Sequence, residues 1–153
     1  MVTVYSTQRT NSRATPVVMN KSNELGGRVR VAHGVYEASS LAADEVIEMF
    51  ILPDGARILH GQLAHDALGS STTLAVGHGA YKNADGTDVA LDADEFKAAA
   101  ASTSAQKVDV AATLALGSGI EVDADDDGYP VTVTLAGAAA TGTIELTMYY
   151  VVD

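Results

Sequence analysis

Carboxylates and imidazoles are the side chains of this sequence that could do chemistry, and their spacing decides what chemistry is open to them. Asp123-Ala-Asp-Asp-Asp-Gly128 reproduces the first six positions of a calcium loop, in which alternate carboxylates (here Asp123, Asp125 and Asp127) converge on a hard cation and the glycine makes the sharp turn. The match then stops. Thr134 stands where the bidentate glutamate belongs, Pro130 fills the eighth position, and strand-like sequence flanks the loop. An acidic, solvated turn accounts for the same residues. The expectation is therefore no metal site, with these three aspartates the residues that would hold one. The four histidines, at positions 33, 60, 65 and 78, make no zinc constellation: His60 and His65 are an odd number apart on one strand and fall on opposite faces, and His78 sits between two glycines in a turn.

Nucleophilic catalysis finds no better footing. Gly117-Ser-Gly119 lacks the Gly-x-Ser-x-Gly spacing of a nucleophile elbow, and His65-Asp66 are turn neighbours with no third group implied. No phosphate-cradling glycine loop and no dinucleotide fingerprint occurs. The chain has no cysteine, which excludes disulfides, thiolate metal sites and thiol catalysis and suits a protein folded in a reducing cytoplasm. The reading is a non-enzyme without a cofactor.

Charge is distributed unevenly along the 153 residues, whose net charge is −11. Residues 1–30 hold Arg9, Arg13, Lys21, Arg28 and Arg30 against Glu24 alone, a balance of +4, whereas residues 31–153 carry −15. A body so poor in Lys and Arg does not suit nucleic acid. The five basic residues of the arm are the candidate partner-binding set, with a solvated segment as the competing reading. No run of eighteen apolar residues and no charged-then-apolar leader is present, so neither a membrane span nor a signal peptide is expected.

Strands have to position these groups. Val131, Val133 and Leu135 alternate with Thr132 and Thr134, and Ile144, Leu146, Met148 and Tyr150 alternate with Glu145, Thr147 and Tyr149; together the arms read as a β-hairpin with one face to bury. Tyr149 is its outward ring, a candidate oligomer-interface anchor. Upstream, strands are expected over Arg28–Tyr36, Glu45–Leu52, Ala56–Ala64, Thr72–Val76, Lys107–Leu114 and Gly119–Val122, with Pro53-Asp-Gly55 a turn and 82–88 a polar excursion. Asp92–Ala101, with acids in its first turn and alanines in its body, predicts a short helix lying across one end of a sheet. Residues 1–27 predict an extended arm, with short strands where Val2, Val4, Val17 and Val18 touch down. The architecture is all-β, a β-sandwich or jelly roll of about eight strands (residues 28–153) behind that arm.

Three segments, DEVIEMFILPDGARIL from Asp44, LGSSTTLAVG from Leu68 and ATGTIELTMYYVVD from Ala140, give the chain from about Val29 onward a resemblance to small virion structural proteins of tailed bacteriophages, of the head decoration or cement type. The resemblance implies a sandwich or jelly roll, commonly a homotrimer, made in the host cytoplasm and seated on the capsid exterior, where it clamps neighbouring major capsid subunits. It implies no cofactor and supplies no set of functional residues. The alternative is a virion-associated host-surface or carbohydrate-binding module whose recognition edge is formed by Gly77–Asp92 and Asp123–Gly128; the scarcity of aromatic rings counts against sugar stacking.

Overall fold

A computed structural model describes residues 3–152. Among them ten strands follow in order: β1 (Arg28–Leu41), β2 (Val46–Leu52), β3 (Arg57–His65), β4 (Thr73–His78), β5 (Tyr81–Lys82), β6 (Asp88–Val89), β7 (Asp92–Ala101), β8 (Gln106–Val110), β9 (Tyr129–Ala136) and β10 (Ala140–Val152). They form two antiparallel four-stranded sheets, ordered β1-β10-β3-β8 and β2-β9-β4-β7, and a small β5-β6 ribbon. The pairs nest: β1 with β10, β2 with β9, β3 with β8 and β4 with β7. One long hairpin whose middle is the β4–β7 connection, wrapped so that successive pairs alternate between sheets, gives this order. It is the jelly roll, and β5-β6 lies at the tip of the ribbon.

The core fills the space between the sheets. Val131, Val133 and Leu135 from β9, Ile144, Leu146 and Met148 from β10, and Ile58, Leu63, Leu74 and Val76 are all buried in one cluster, and Tyr150 packs at its margin. Each such side chain contributes roughly 1.5–3 kcal/mol on burial. The alternation therefore identifies the inner residues correctly. It misassigns the pairing, because β9 and β10 are not neighbours: β9 hydrogen-bonds to β2 and β4, and β10 to β1 and β3. Two strands facing each other across a core carry the same period-two pattern as two strands side by side.

The expected helix at Asp92–Ala101 is strand β7. Phe96 is the one large apolar residue in the segment, so a helix there would have no apolar stripe to bury. As an edge strand the segment pairs with β4 and buries Phe96 completely. Alanine's helix preference is a few tenths of a kcal/mol per residue, and over five alanines it sums to roughly 1–2 kcal/mol, no more than the roughly 1.5–3 kcal/mol from burying the phenyl ring. Gly77 lets β4 and β7 close together, since a Cβ there would run into the Asp92 carbonyl oxygen. The strand expected to reach Leu114 ends at Val110, followed by a 3-10 turn at Leu114–Leu116 capped by the Thr113 hydroxyl. Gly119–Val122 is not a full strand either: it makes one bridge, Glu121 to Arg57, and hydrogen bonds to the backbone of Ala56 and Ile58.

The helix lies instead in the arm. α1 (Thr7–Arg13) starts at Ser6, whose hydroxyl accepts from the Arg9 amide, and it buries none of its residues. Val4, Val17 and Val18 are exposed and outside strands, and Val2 lies outside the described residues. Phe96→Ala should destabilise the fold by about 3–5 kcal/mol in urea unfolding; a loss below about 1 kcal/mol would contradict a strand that delivers this ring to the core.

Candidate functional site

Three regions collect the polar and exposed apolar groups, beginning with the arm. Its residues 3–20 fold on themselves. The Asn20 amide donates to the Gln8 carbonyl (3.1 Å) and the Ser12 hydroxyl (3.2 Å), its oxygen accepts from Asn11 Nδ2 (3.2 Å), and the Arg13 guanidinium lies 4.8 Å from the centre of the Tyr5 ring. The chain is then fastened to the body. Lys21 Nζ donates to both oxygens of Glu121 (2.7 and 2.8 Å), buried Asn23 donates to the Gly55 carbonyl (3.3 Å), and a Cβ at Gly27 would collide with Val151 Cγ1. An exposed ion pair such as Lys21–Glu121 contributes only about 0–1 kcal/mol, and the burial of Asn23 and the close approach at Gly27 add to it.

The five basic candidates are spread over three settings. Arg9 and Arg13 are exposed on α1, Lys21 is engaged with Glu121, and Arg28 and Arg30 are exposed on edge strand β1. Tyr149 stacks on His60, ring centres 4.6 Å apart, on the outer face of its sheet. Its register partner there is Val31, exposed like Val29 and Val35. His60 is exposed and His65 buried, on opposite faces of β3.

The second region is a polar cluster at the tip of the ribbon. Leu74, Val76 and His78 alternate on the inner side of β4, so the imidazole enters the end of the core. His78 Nδ1 lies 2.8 Å from the Gly79 carbonyl oxygen and Nε2 lies 3.1 Å from Glu95 Oε2. The Gly79 carbonyl and an ionised Glu95 both accept, so these contacts favour the doubly protonated ring. Glu95 Oε2 also accepts from the Tyr129 hydroxyl (2.9 Å), and the rings of Tyr81 and Phe96 pack around Tyr129. Burial opposes the charge on His78, but the hydrogen bonds to Glu95 and the Gly79 carbonyl, with the charges of Glu95 and Asp92, outweigh it and raise the pKa above 6.5. The His78 hydrogen bond holds Glu95 below its ordinary value against the pull of burial. Burial first, then the Glu95 charge, pushes Tyr129 up.

This cluster ties β4, β7, β9 and β5 together. Sequence reasoning set His78 aside as a turn residue; the signal available was its place two residues beyond Val76, on the inner face, where an imidazole needs an acid.

The third region is the β5-β6 flap. It hangs from the acidic turn: the Ala84 amide donates to Asp123 Oδ1 (3.2 Å), the Asp125 amide to the Lys82 carbonyl (2.9 Å), and the Asp127 amide to Asp125 Oδ1 (3.0 Å). Carboxylates of Asp123 and Asp125 are thus turned to backbone amides, and among the described residues no three metal-ligating side chains gather. Between the flap, β2 and the start of β9 runs a groove of about 600 Å³, with Ile51, Tyr81, Val89 and Pro130 on its walls and Glu48, Asp88, Asp125 and Asp127 on its rim.

No family model and no curated protein matches the chain. Solved structures do. A chain of the capsid of Ralstonia phage GP4 is 25% identical, with 83% of this chain and 86% of that one covered and a TM-score of 0.64. A chain of the cyanophage Pam1 capsid asymmetric unit is 20% identical over 89% of this chain and 93% of that one, with a TM-score of 0.61. A chain of the acidic stable capsid of Helicobacter pylori bacteriophage KHP30 is 15% identical over 81% and 87%, with a TM-score of 0.52. The fold is shared with phage capsid components, and the resemblance to phage structural proteins stands on it.

The tip cluster makes stability depend on pH from both sides. His78, raised above 6.5, contributes fully below that value and loses its contribution as pH rises through its folded pKa; Glu95, lowered from 4.5, contributes fully above that value and loses its contribution as pH falls through its own. Melting temperature measured across pH should therefore be highest, on account of this pair, between about pH 4.5 and 6.5. Glu95→Gln should cost about 1.5–3 kcal/mol within that window and flatten the decline above it. Parallel pH profiles for the two proteins would contradict the pairing.

Proposed function

We propose that this chain is a non-enzymatic structural component of a phage virion, a decoration or cement protein that binds the outer surface of the head and reinforces contacts between major capsid subunits. Residues 1–27 are its attachment arm and residues 28–153 its sandwich. The observation that carries the reading is the arm: the +4 balance of residues 1–30 stands against a −15 body, Arg9 and Arg13 are exposed, and residues 3–20 hydrogen-bond among themselves while residues 21–27 fasten them. The jelly roll and its likeness to capsid chains support a virion component. The partner is the major capsid protein, met through an acidic or polar patch, and the sandwich associates as a homotrimer with Tyr149 at the interface. Neither nucleic acid nor membrane is a partner on this reading; among the described residues no helix is long and apolar enough to cross a bilayer.

A second reading, a virion-associated host-surface or carbohydrate-binding module, gains one observation. The flap and the Asp123–Gly128 turn, far apart in sequence, share a groove. Tyr81 is the aromatic ring on its wall, however, and sugar recognition depends on aromatic faces. Acids around aliphatic walls suit a basic peptide better.

Arg9→Glu/Arg13→Glu tests the arm. Binding to emptied heads should weaken at least tenfold, about 1.4 kcal/mol, and wild-type occupancy should fall as salt rises. Unchanged occupancy would remove the arm from the function, and a strict monomer by light scattering would remove the trimer.

A further inference from the structure

We infer that the groove beneath the β5-β6 flap is the acceptor for the basic arm of a second copy of this chain, so that copies are linked by exchanged arms. The inference goes beyond the shell attachment proposed above and gives the same arm a second partner, which competes with the shell for it. At about 600 Å³ the groove is of the size that holds a short run of side chains. Its walls are apolar (Ile51, Val89, Pro130 and the face of Tyr81), and Ile51 on β2 is exposed. The rim sets Glu48, Asp88, Asp125 and Asp127 against Lys82, whose ammonium lies 3.6 Å from Asp88, a local balance of −3.

The arm presents the complement on both counts. Arg9 and Arg13 are exposed on α1, and Val17, Val18 and Met19 are exposed on the return segment, Met19 at 86% of its surface. Apolar side chains held in water this way gain about 25 cal/mol for each Å² they bury, and a rim of opposite charge orients the approach. In its own copy the arm is folded against itself through Asn20 and leaves the groove open. A second copy supplies an arm of the same composition at a groove of the same charge, and repetition of that head-to-tail contact closes a ring when the rotation permits.

The absence of cysteine makes the test clean. Full-length Val18→Cys and Asp88→Cys proteins, separately tagged, are mixed under mild oxidation, with Glu37→Cys replacing Asp88→Cys as control. Expected is a disulfide-linked heterodimer at least tenfold above the control, reduced about tenfold when Asp127→Lys is added to the groove partner. Equal crosslinking to Glu37→Cys overturns the inference, as does a Val18→Cys/Asp88→Cys double variant that crosslinks only within one chain. Emptied heads separate this result from the attachment reading, because shell and groove compete for one arm. Asp88→Lys/Asp127→Lys should leave shell occupancy intact or raise it, while Arg9→Glu/Arg13→Glu lowers both occupancy and crosslinking. Crosslinking lost with arm-dependent occupancy retained overturns exchange alone; crosslinking retained with occupancy indifferent to the arm overturns shell attachment alone.

Discussion

The facing of β9 against β10 across the core is the constraint on which the rest of the molecule depends. Val131, Val133 and Leu135 on one strand and Ile144, Leu146 and Met148 on the other are fully buried, and each strand is an inner member of its own sheet. Strands buried in this way must also pair the backbone groups along both edges, which β9 does with β2 and β4 and β10 with β1 and β3. The nested pairing of the jelly roll is what satisfies that requirement with one chain.

Where the apolar core ends, at the tip, the fold changes its means. Glu95 and Phe96 are adjacent in sequence, yet one reaches His78 and Tyr129 and the other is buried against the core, because the β4–β7 register slips between Val76 and His78. A carboxylate shared by an imidazole and a phenol joins strand ends whose rings, Tyr81, Tyr129 and Phe96, already pack together. The protonation state of a single ring is thereby tied to the seating of the flap that Tyr81 begins.

Much of the fold was legible because period-two alternation is a local property. The inner residues of β9 and β10 and the opposed faces of His60 and His65 follow from it, and the Pro53–Gly55 turn follows from the equally local turn chemistry of Pro and Gly. Partnership between strands is not local, which is why two strands in different sheets read as a hairpin. Asp92–Ala101 misled for a related reason: its alanines carry helix preference, but the binding partner of Phe96 is the core, supplied by residues elsewhere in the chain. At the site, the charge of the arm was plain from composition, whereas its division among α1, the Glu121 contact and β1 required the fold. His78 could have been read from Leu74 and Val76; Glu95 as its partner could not, since it depends on a register slip.

The nested pairing also grades the chain by loop-closure entropy. β4 and β7 are joined by a short connection, whereas Arg28 and Val152 meet from opposite ends of the sandwich sequence. Closing an outer pair before the inner ones encloses a longer loop, at a cost that grows with the logarithm of its length. The outermost pair, β1–β10, receives the least local help and has its far side open as a sheet edge. The arm is continuous with that same strand, so it is joined to the pair whose closure relies most on the inner pairs.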